Sequence, residues 1–192
     1  PDDGTQPDDD EIQCETRKLI TSPVYTLWNS FLGMVNILEL VNPTKAQIDV
    51  RVSLYSIIGE LVHEQVFPVP AENQFDVILN QFPGYIGNSY GVVKLEFEGL
   101  LDGRMMYYRQ AADTFGYDFV FGFALEDAMS GRTAVSFNTF QPSFKEDERD
   151  NIVANWLTIV NLEQRPQQFT VLSYDQMGTL LLRRQLEVPS FG

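Results

Sequence analysis

From residue 17 onward the pattern of apolar and polar positions is that of β-strands, and in two stretches it alternates with a period of two. In IDVRVSLY (48–55), Val50, Val52 and Leu54 fall on one side and Asp49, Arg51 and Ser53 on the other, the pattern of a half-buried strand. VVKLEFEG (92–99) repeats it, with Val93, Leu95 and Phe97 opposite Lys94, Glu96 and Glu98. RMMYYRQ, FVFGFAL, RTAVSFNTF, WLTIVN, QFTVLSY and TLLLRRQLEV read as further strands, rich in β-branched and aromatic residues and separated by Gly, Pro, Asn and Asp. KEDERDNIVANWL (145–157) is the one helical candidate, and its first half is long enough for a single turn. Many short strands at close spacing predict an all-β, antiparallel, immunoglobulin-like β-sandwich.

The chain also resembles itself. At an offset of 119, residues 35–70 lie on residues 154–189 without a gap, and ten of the 36 positions are identical, among them Asn36/Asn155, Asn42/Asn161, Tyr55/Tyr174, Gly59/Gly178 and Pro70/Pro189. At an offset of 109, LWNSF (27–31) lies on SFNTF (136–140), so the second copy carries an insertion of about ten residues. The shared residues have mechanical readings. Ser56 and Asp175 open four-residue turns that close on Gly59 and Gly178, each with type I chemistry, so both copies predict a strand–turn–strand hairpin with glycine at positive φ. Asn42 and Asn161 end a strand where asparagine can bond its own backbone. Pro70 and Pro189 end the second hairpin strand because proline cannot donate to a ladder.

This divides the chain into a leader (1–16), a first sandwich (17–128) and a partial second one (129–192). The first copy continues past Pro70 with FDVIL, SYGVVKLEFEG and GRMMYYRQ, for which the second copy has no counterpart. Faces such as Leu157/Ile159 and Phe169/Val171 therefore need a cover, from the first copy or from another molecule, and the expected partner is a protein, or the chain itself, engaged through residues 133–192. With Pro1 in place of methionine and no signal peptide, the sequence reads as processed or as a fragment.

Charge narrows the function. The chain carries 13 basic and 27 acidic residues, a net charge of −14, which argues against nucleic acid or an anionic membrane surface as partner. No apolar run approaches the length of a membrane-spanning helix. One cysteine, Cys14, excludes an internal disulfide, and one histidine, His63, excludes multi-histidine metal sites. Seven acids and no base stand in PDDGTQPDDDEIQCET, which accounts for half of the net charge. With its prolines and glycine this leader reads as a solvated linker. The alternative is calcium held by Asp2, Asp3, Asp8, Asp9 and Asp10, although the spacing is not that of a helix–loop–helix calcium loop. No other cofactor is expected.

No nucleophile motif, phosphate-binding glycine pattern or dinucleotide motif is present. His63 faces Leu182 in the repeat, so its position suits an apolar residue. The acid pairs Asp113/Asp118 and Glu126/Asp127 and the run Glu146, Asp147, Glu148 stand in polar, turn-like surroundings and read as solvated loops rather than as glycosidase carboxylates. Trp28 and Trp156 align with Phe137 and Ile37 and read as core. GYIGNSYG (84–91) and DTFGYD (113–118) offer contact candidates: Tyr85, Tyr90, Phe115 and Tyr117.

The order ILELVNP, polar loop, IDVRVSLYS, turn with Gly59, strand ending in VPA, then SYGVVKLEFEG and GRMMYYRQ, resembles the sensory-rhodopsin-transducer-like β-sandwich family over roughly residues 35–110 and, in part, 154–189. The resemblance implies an oligomeric small-ligand-binding or signalling module and no enzyme. The residues themselves favour a non-catalytic module of a secreted or surface-displayed protein (alternatively periplasmic) with a structural, adhesive or assembly role. A sensory module taking a small ligand or carbohydrate is the second reading.

Overall fold

The computed structural model describes residues 22–110, 116–127, 159–175 and 177–192. The strands are β1 (Val24–Asn29), β2 (Val35–Asn42), β3 (Ile48–Ser56), β4 (Leu61–Val69), β5 (Asn73–Ile78), β6 (Tyr90–Glu96), β7 (Asp102–Gln110), β8 (Tyr117–Ala124), β9 (Glu126–Asp127), β10 (Gln167–Tyr174) and β11 (Leu180–Val188). The architecture is all-β and antiparallel. One sheet has the order β4-β3-β6-β1-β9 and a second β5-β2-β7-β8, while β10 and β11 pair as a hairpin. Most connections within residues 24–110 pass from one sheet to the other, and the hairpins β3–β4 and β7–β8 stay within one.

Alternation sets which side chains meet between the sheets. Along β2, Asn36, Leu38, Leu40 and Asn42 are buried, and along β1, Val24, Thr26 and Trp28. Val50, Val52 and Leu54 of β3, Val93 and Leu95 of β6, and Met105 and Tyr107 of β7 complete one core. Each buried aliphatic side chain contributes roughly 1.5–3 kcal/mol, so this layer holds the two sheets together. The half-buried reading of β3 and β6 is incomplete. Ser53, Ser56 and Val92 are buried as well, because both strands lie inside the sheet with a neighbour on each side.

The insertion of β6 between β1 and β3 needs a glycine. Gly91 pairs with Trp28 and with Ser56, and a Cβ there would lie 2.0 Å from the Tyr55 carbonyl oxygen and 2.7 Å from the Trp28 indole nitrogen. That nitrogen donates to the same carbonyl at 2.7 Å, which ties β1 to β3 across the end of β6.

The hairpins β3–β4 and β10–β11 agree in detail at the offset of 119. Ile48 pairs with Val69 and Gln167 with Val188. The register shifts after Leu54 in one and after Ser173 in the other. Gly59 and Gly178 stand at φ 78° and 81°. Their N–H groups donate to the carbonyls of Ser56 (2.9 Å) and Asp175 (3.0 Å). Two positions beyond the shared prolines, Glu72 and Phe191 both take positive φ, 50° and 55°. The correspondence is one of hairpins: among the described residues β10 and β11 form a sheet of two strands with no second sandwich around them. RTAVSFNTF, KEDERDNIVANWL, the acidic leader with its five aspartates and Cys14, and Phe115 lie outside the described residues.

Candidate functional site

The asparagines shared by the repeat are built into the frame. Asn42 is fully buried at the end of β2. Its Nδ2 donates to the carbonyls of Ala46 (2.7 Å) and Val69 (3.1 Å), and its Oδ1 accepts the Thr44 N–H (2.9 Å). Asn161 does the same with Arg165 (2.8 Å), Val188 (3.1 Å) and the Glu163 N–H (3.0 Å). These three partners are displaced by 119 positions, and Asn161 Nδ2 also donates to the Pro189 carbonyl (3.0 Å). A buried amide with its donors and acceptor satisfied fixes the chain rather than waiting for a ligand.

Asn36 does similar work at the other end of β2. It is fully buried, and its Nδ2 donates to the Asn29 carbonyl (2.7 Å) and to the Tyr85 hydroxyl (3.0 Å). Its Oδ1 accepts the Asn29 N–H (2.7 Å), and Asn80 Oδ1 accepts its own N–H (2.7 Å). Ser30 closes the group: its Oγ lies 2.7 Å from the Ile86 carbonyl oxygen and accepts the Ser89 N–H at 2.9 Å. Burial pushes the Tyr85 hydroxyl up to about 12, against hydrogen bonds with Ser30, Asn36 and Asn80 that act the other way. Burial also raises Tyr107, whose hydroxyl donates to the Leu27 carbonyl at 2.6 Å. Both phenols stay protonated through the physiological range and act as neutral hydrogen-bonding groups.

Tyr85 thus turns inward, its ring 5.1 Å from that of Trp28. Tyr90 lies on the surface, paired through the backbone with Asn29 and with its ring 5.9 Å from Phe31. The two tyrosines of GYIGNSYG do not share a face. Exposed Ile86 and Leu32, the latter 68% exposed at φ 57°, extend the apolar rim around Phe31 and Tyr90. Tyr117 opens β8. His63 packs 4.7 Å from the Phe82 ring and 3.4 Å from Gln65 Oε1. Glu126 and Asp127 pair through the backbone with Tyr25 and Val24. Among the described residues no group of three or more His, Cys, Asp or Glu is placed to hold a metal ion, and no helix is long and apolar enough to cross a membrane.

The largest departure from an ordinary surface is the β10–β11 hairpin. Register places Phe169 opposite Leu186, Val171 opposite Arg184 and Ser173 opposite Leu182. The counterparts in β3, at 50, 52 and 54, are fully buried, whereas Phe169 and Val171 are only half-buried. Leu172, Tyr174, Leu180, Leu181 and Leu182 are exposed, and Met177 at the turn is 82% exposed. The hairpin is anchored at its other end. Phe191 stacks on Tyr55, and the Ser190 carbonyl oxygen lies 1.8 Å from where a Cβ of Gly59 would stand. The alternation of Phe169 and Val171 with Gln168 and Thr170 in QFTVLSY and the run of three leucines in TLLLRRQLEV mark this hairpin in the sequence. The Asn36 cluster has a weaker signal, an asparagine at an inward position of an apolar strand.

No family model matches the chain, and no curated protein is significantly similar to it in sequence. Among solved structures it is similar to the protein of the crystal structure of Thermotoga maritima 1070. The TM-score is 0.45 and the identity 8%, over 55% of this chain and 93% of that one. At that level the likeness assigns no function.

Proposed function

We propose that this polypeptide is a non-catalytic assembly module of a secreted or surface-displayed protein. The observation that carries the reading is the exposed apolar surface of the β10–β11 hairpin, formed by strands whose counterparts β3 and β4 belong to a five-stranded sheet. A two-stranded sheet is marginal alone in water, and contiguous exposed apolar side chains with open edges characterise association surfaces. The acidic composition supports the same reading, since strong net charge keeps a displayed protein soluble while one neutral patch associates.

Sedimentation of the 192-residue chain over a range of concentrations tests this. The expected result is reversible self-association that is lost when Leu172→Lys of β10 and Leu182→Lys of β11 are combined. A wild-type chain that stays monomeric at every concentration, or association indifferent to the double substitution, overturns the reading.

A further inference from the structure

The hairpin has two unlike edges. β11 carries Arg183, Arg184 and Glu187. β10, QQFTVLSY, carries no charge and no proline. Other edge strands of this chain are protected: β4 holds Glu64 and Pro68, and β5 holds Asp76. Natural sheets use such residues to block pairing with other chains, so β10 stands out as an edge without that protection. Its counterpart shows what the edge is built to take. The side of β3 away from β4 is occupied by β6, antiparallel, with Val52 opposite Leu95 and Leu54 opposite Val93. Among the described residues β10 has β11 alone as a partner.

We infer that the outer edge of β10 pairs antiparallel with β10 of a second copy of this chain. The inference rests on the assembly reading above and specifies its contact. Three observations favour a second copy as occupant. The strand is itself an extended segment with apolar residues at alternate positions, as is the strand that β6 supplies to β3, and unlike β6 with Lys94 and Glu96 it brings no charge. Antiparallel pairing of identical strands needs only a two-fold axis, the commonest symmetry of oligomers. Finally, residues 167–188 hold two acids and two bases in a chain of net charge −14, so this is a place where two copies meet without charge repulsion.

Pleating fixes the register to alternatives that keep odd-numbered residues opposite odd-numbered ones, since a slip by one residue would put Phe169 and Val171 on opposite faces from their mates. An axis through Val171 sets Val171 against itself and Phe169 against Ser173. Two hairpins then form a four-stranded sheet, β11-β10-β10-β11, whose half-buried Phe169 and Val171 become central.

The test uses charge at the axis. Val171→Lys and Val171→Glu each place like charges directly opposite across the axis, and each is expected to weaken dimerisation at least about tenfold. Mixing the two variants is expected to restore a one-to-one dimer, which also shows that both are folded. In the wild type, amide exchange within 167–174 is expected to slow as concentration rises. A dimer indifferent to both substitutions, or one without slowed exchange in β10, overturns the strand pairing and leaves the assembly reading in place. A monomer at every concentration overturns both. A monomer whose β10 amides slow only when the synthetic peptide SYGVVKLEFEG, which spans β6, is added assigns the edge to a β6-like strand and overturns self-pairing.

Discussion

Phe191 stacks on Tyr55 with ring centroids 4.8 Å apart and planes 21° from parallel. The carbonyl of the same tyrosine accepts the indole N–H of Trp28, so one residue joins the interior of the first unit to the end of the second hairpin. Phe191→Ala is expected to cost about 0.5–1.5 kcal/mol in stacking beyond the lost area. The loss should fall on the segment after Val188. Amide exchange should accelerate at Phe191 and Gly192, which donate to the Asn161 and Pro189 carbonyls, and stay unchanged in β2 and β7. Uniform acceleration across the first unit would contradict this division.

Gly59 and Gly178 occupy the same turn position at nearly the same φ, but their surroundings differ. A Cβ at 178 meets nothing within 4 Å, whereas one at 59 collides with Ser190. Gly178→Ala should therefore cost on the order of 1 kcal/mol, from the left-handed backbone alone. Gly59→Ala should cost more and should also release residues 190–192. Urea denaturation paired with amide exchange at Phe191 distinguishes the two. Equal costs would mean that the Ser190 contact contributes nothing.

The two buried asparagines offer a second comparison across the repeat. Asn42→Ala leaves the Val69 carbonyl without its buried bond and removes the bonds to Ala46 and Thr44 at the rim of the first unit, and a loss of about 1–3 kcal/mol is expected, chiefly from the unsatisfied buried carbonyl. Asn161→Ala removes the matching bonds from a hairpin with far fewer apolar contacts. Its effect should be confined to faster exchange in 161–192, with the main unfolding transition unmoved. A common shift of that transition in both variants would show that the hairpin unfolds together with the sandwich.

Alkaline stability follows from the buried phenols. The ordinary value for tyrosine is 10.0, and burial holds Tyr85 at about 12 and raises Tyr107 too. Between these values the unfolded chain loses protons that the folded chain keeps, so stability falls as pH rises. Full stability from these groups is expected below pH 10, with progressive loss through about pH 12. Tyr85→Phe should flatten part of that decline, as read from urea midpoints across the range. A decline of the same slope in the variant would remove Tyr85 as a cause.

Asp175 gives the opposite sign at the acid end. Its carboxylate accepts the N–H groups of Thr179 and Met177, both at 2.8 Å, and these backbone bonds, led by that from Thr179, lower its pKa below the ordinary 3.8. The hairpin should keep this contribution above that value and lose it as pH falls through the lowered pKa. Asp175→Asn should remove the acid-dependent part of amide exchange in 177–182. An unchanged acid profile would rule the capping bond out.

The hairpins were legible because their information is local. Alternation in IDVRVSLYS, a short polar residue at Ser56 and glycine at 59 specify two strands and their turn within about twenty residues. The turn glycines take the positive φ that the spacing implied. What lies between strands distant in sequence was not legible. Nothing near VVKLEFEG says that it inserts between β1 and β3, because that choice depends on Gly91 meeting Tyr55 and Trp28 from far along the chain. Tyr85 sits in a glycine-flanked loop that reads as a contact surface. Its N–H donates to the Phe82 carbonyl, and that turn carries the ring back onto Trp28. The Asn42 side chain was readable as a local backbone bond to Thr44. Its bond to Val69 across the loop required the fold.

The placement of β6 also has a consequence in time. A ribosome delivers residues 24–69 first, so β1, β3 and β4 emerge before the strand that joins β1 to β3. Until residues 90–96 follow, β3 lacks its β6 partner, much as β10 has β11 alone as a partner among the described residues. Long-range β pairing of this kind folds slowly and leaves sticky edges exposed meanwhile. A newly made chain therefore passes through a stage with an open acceptor edge on β3, which β6 can close before β10 has been made. Neighbouring chains on one message could exchange their β6 strands during that interval. Arg51 stands opposite Glu96 in the register that β6 finally takes, so opposite charges favour the proper occupant of that edge.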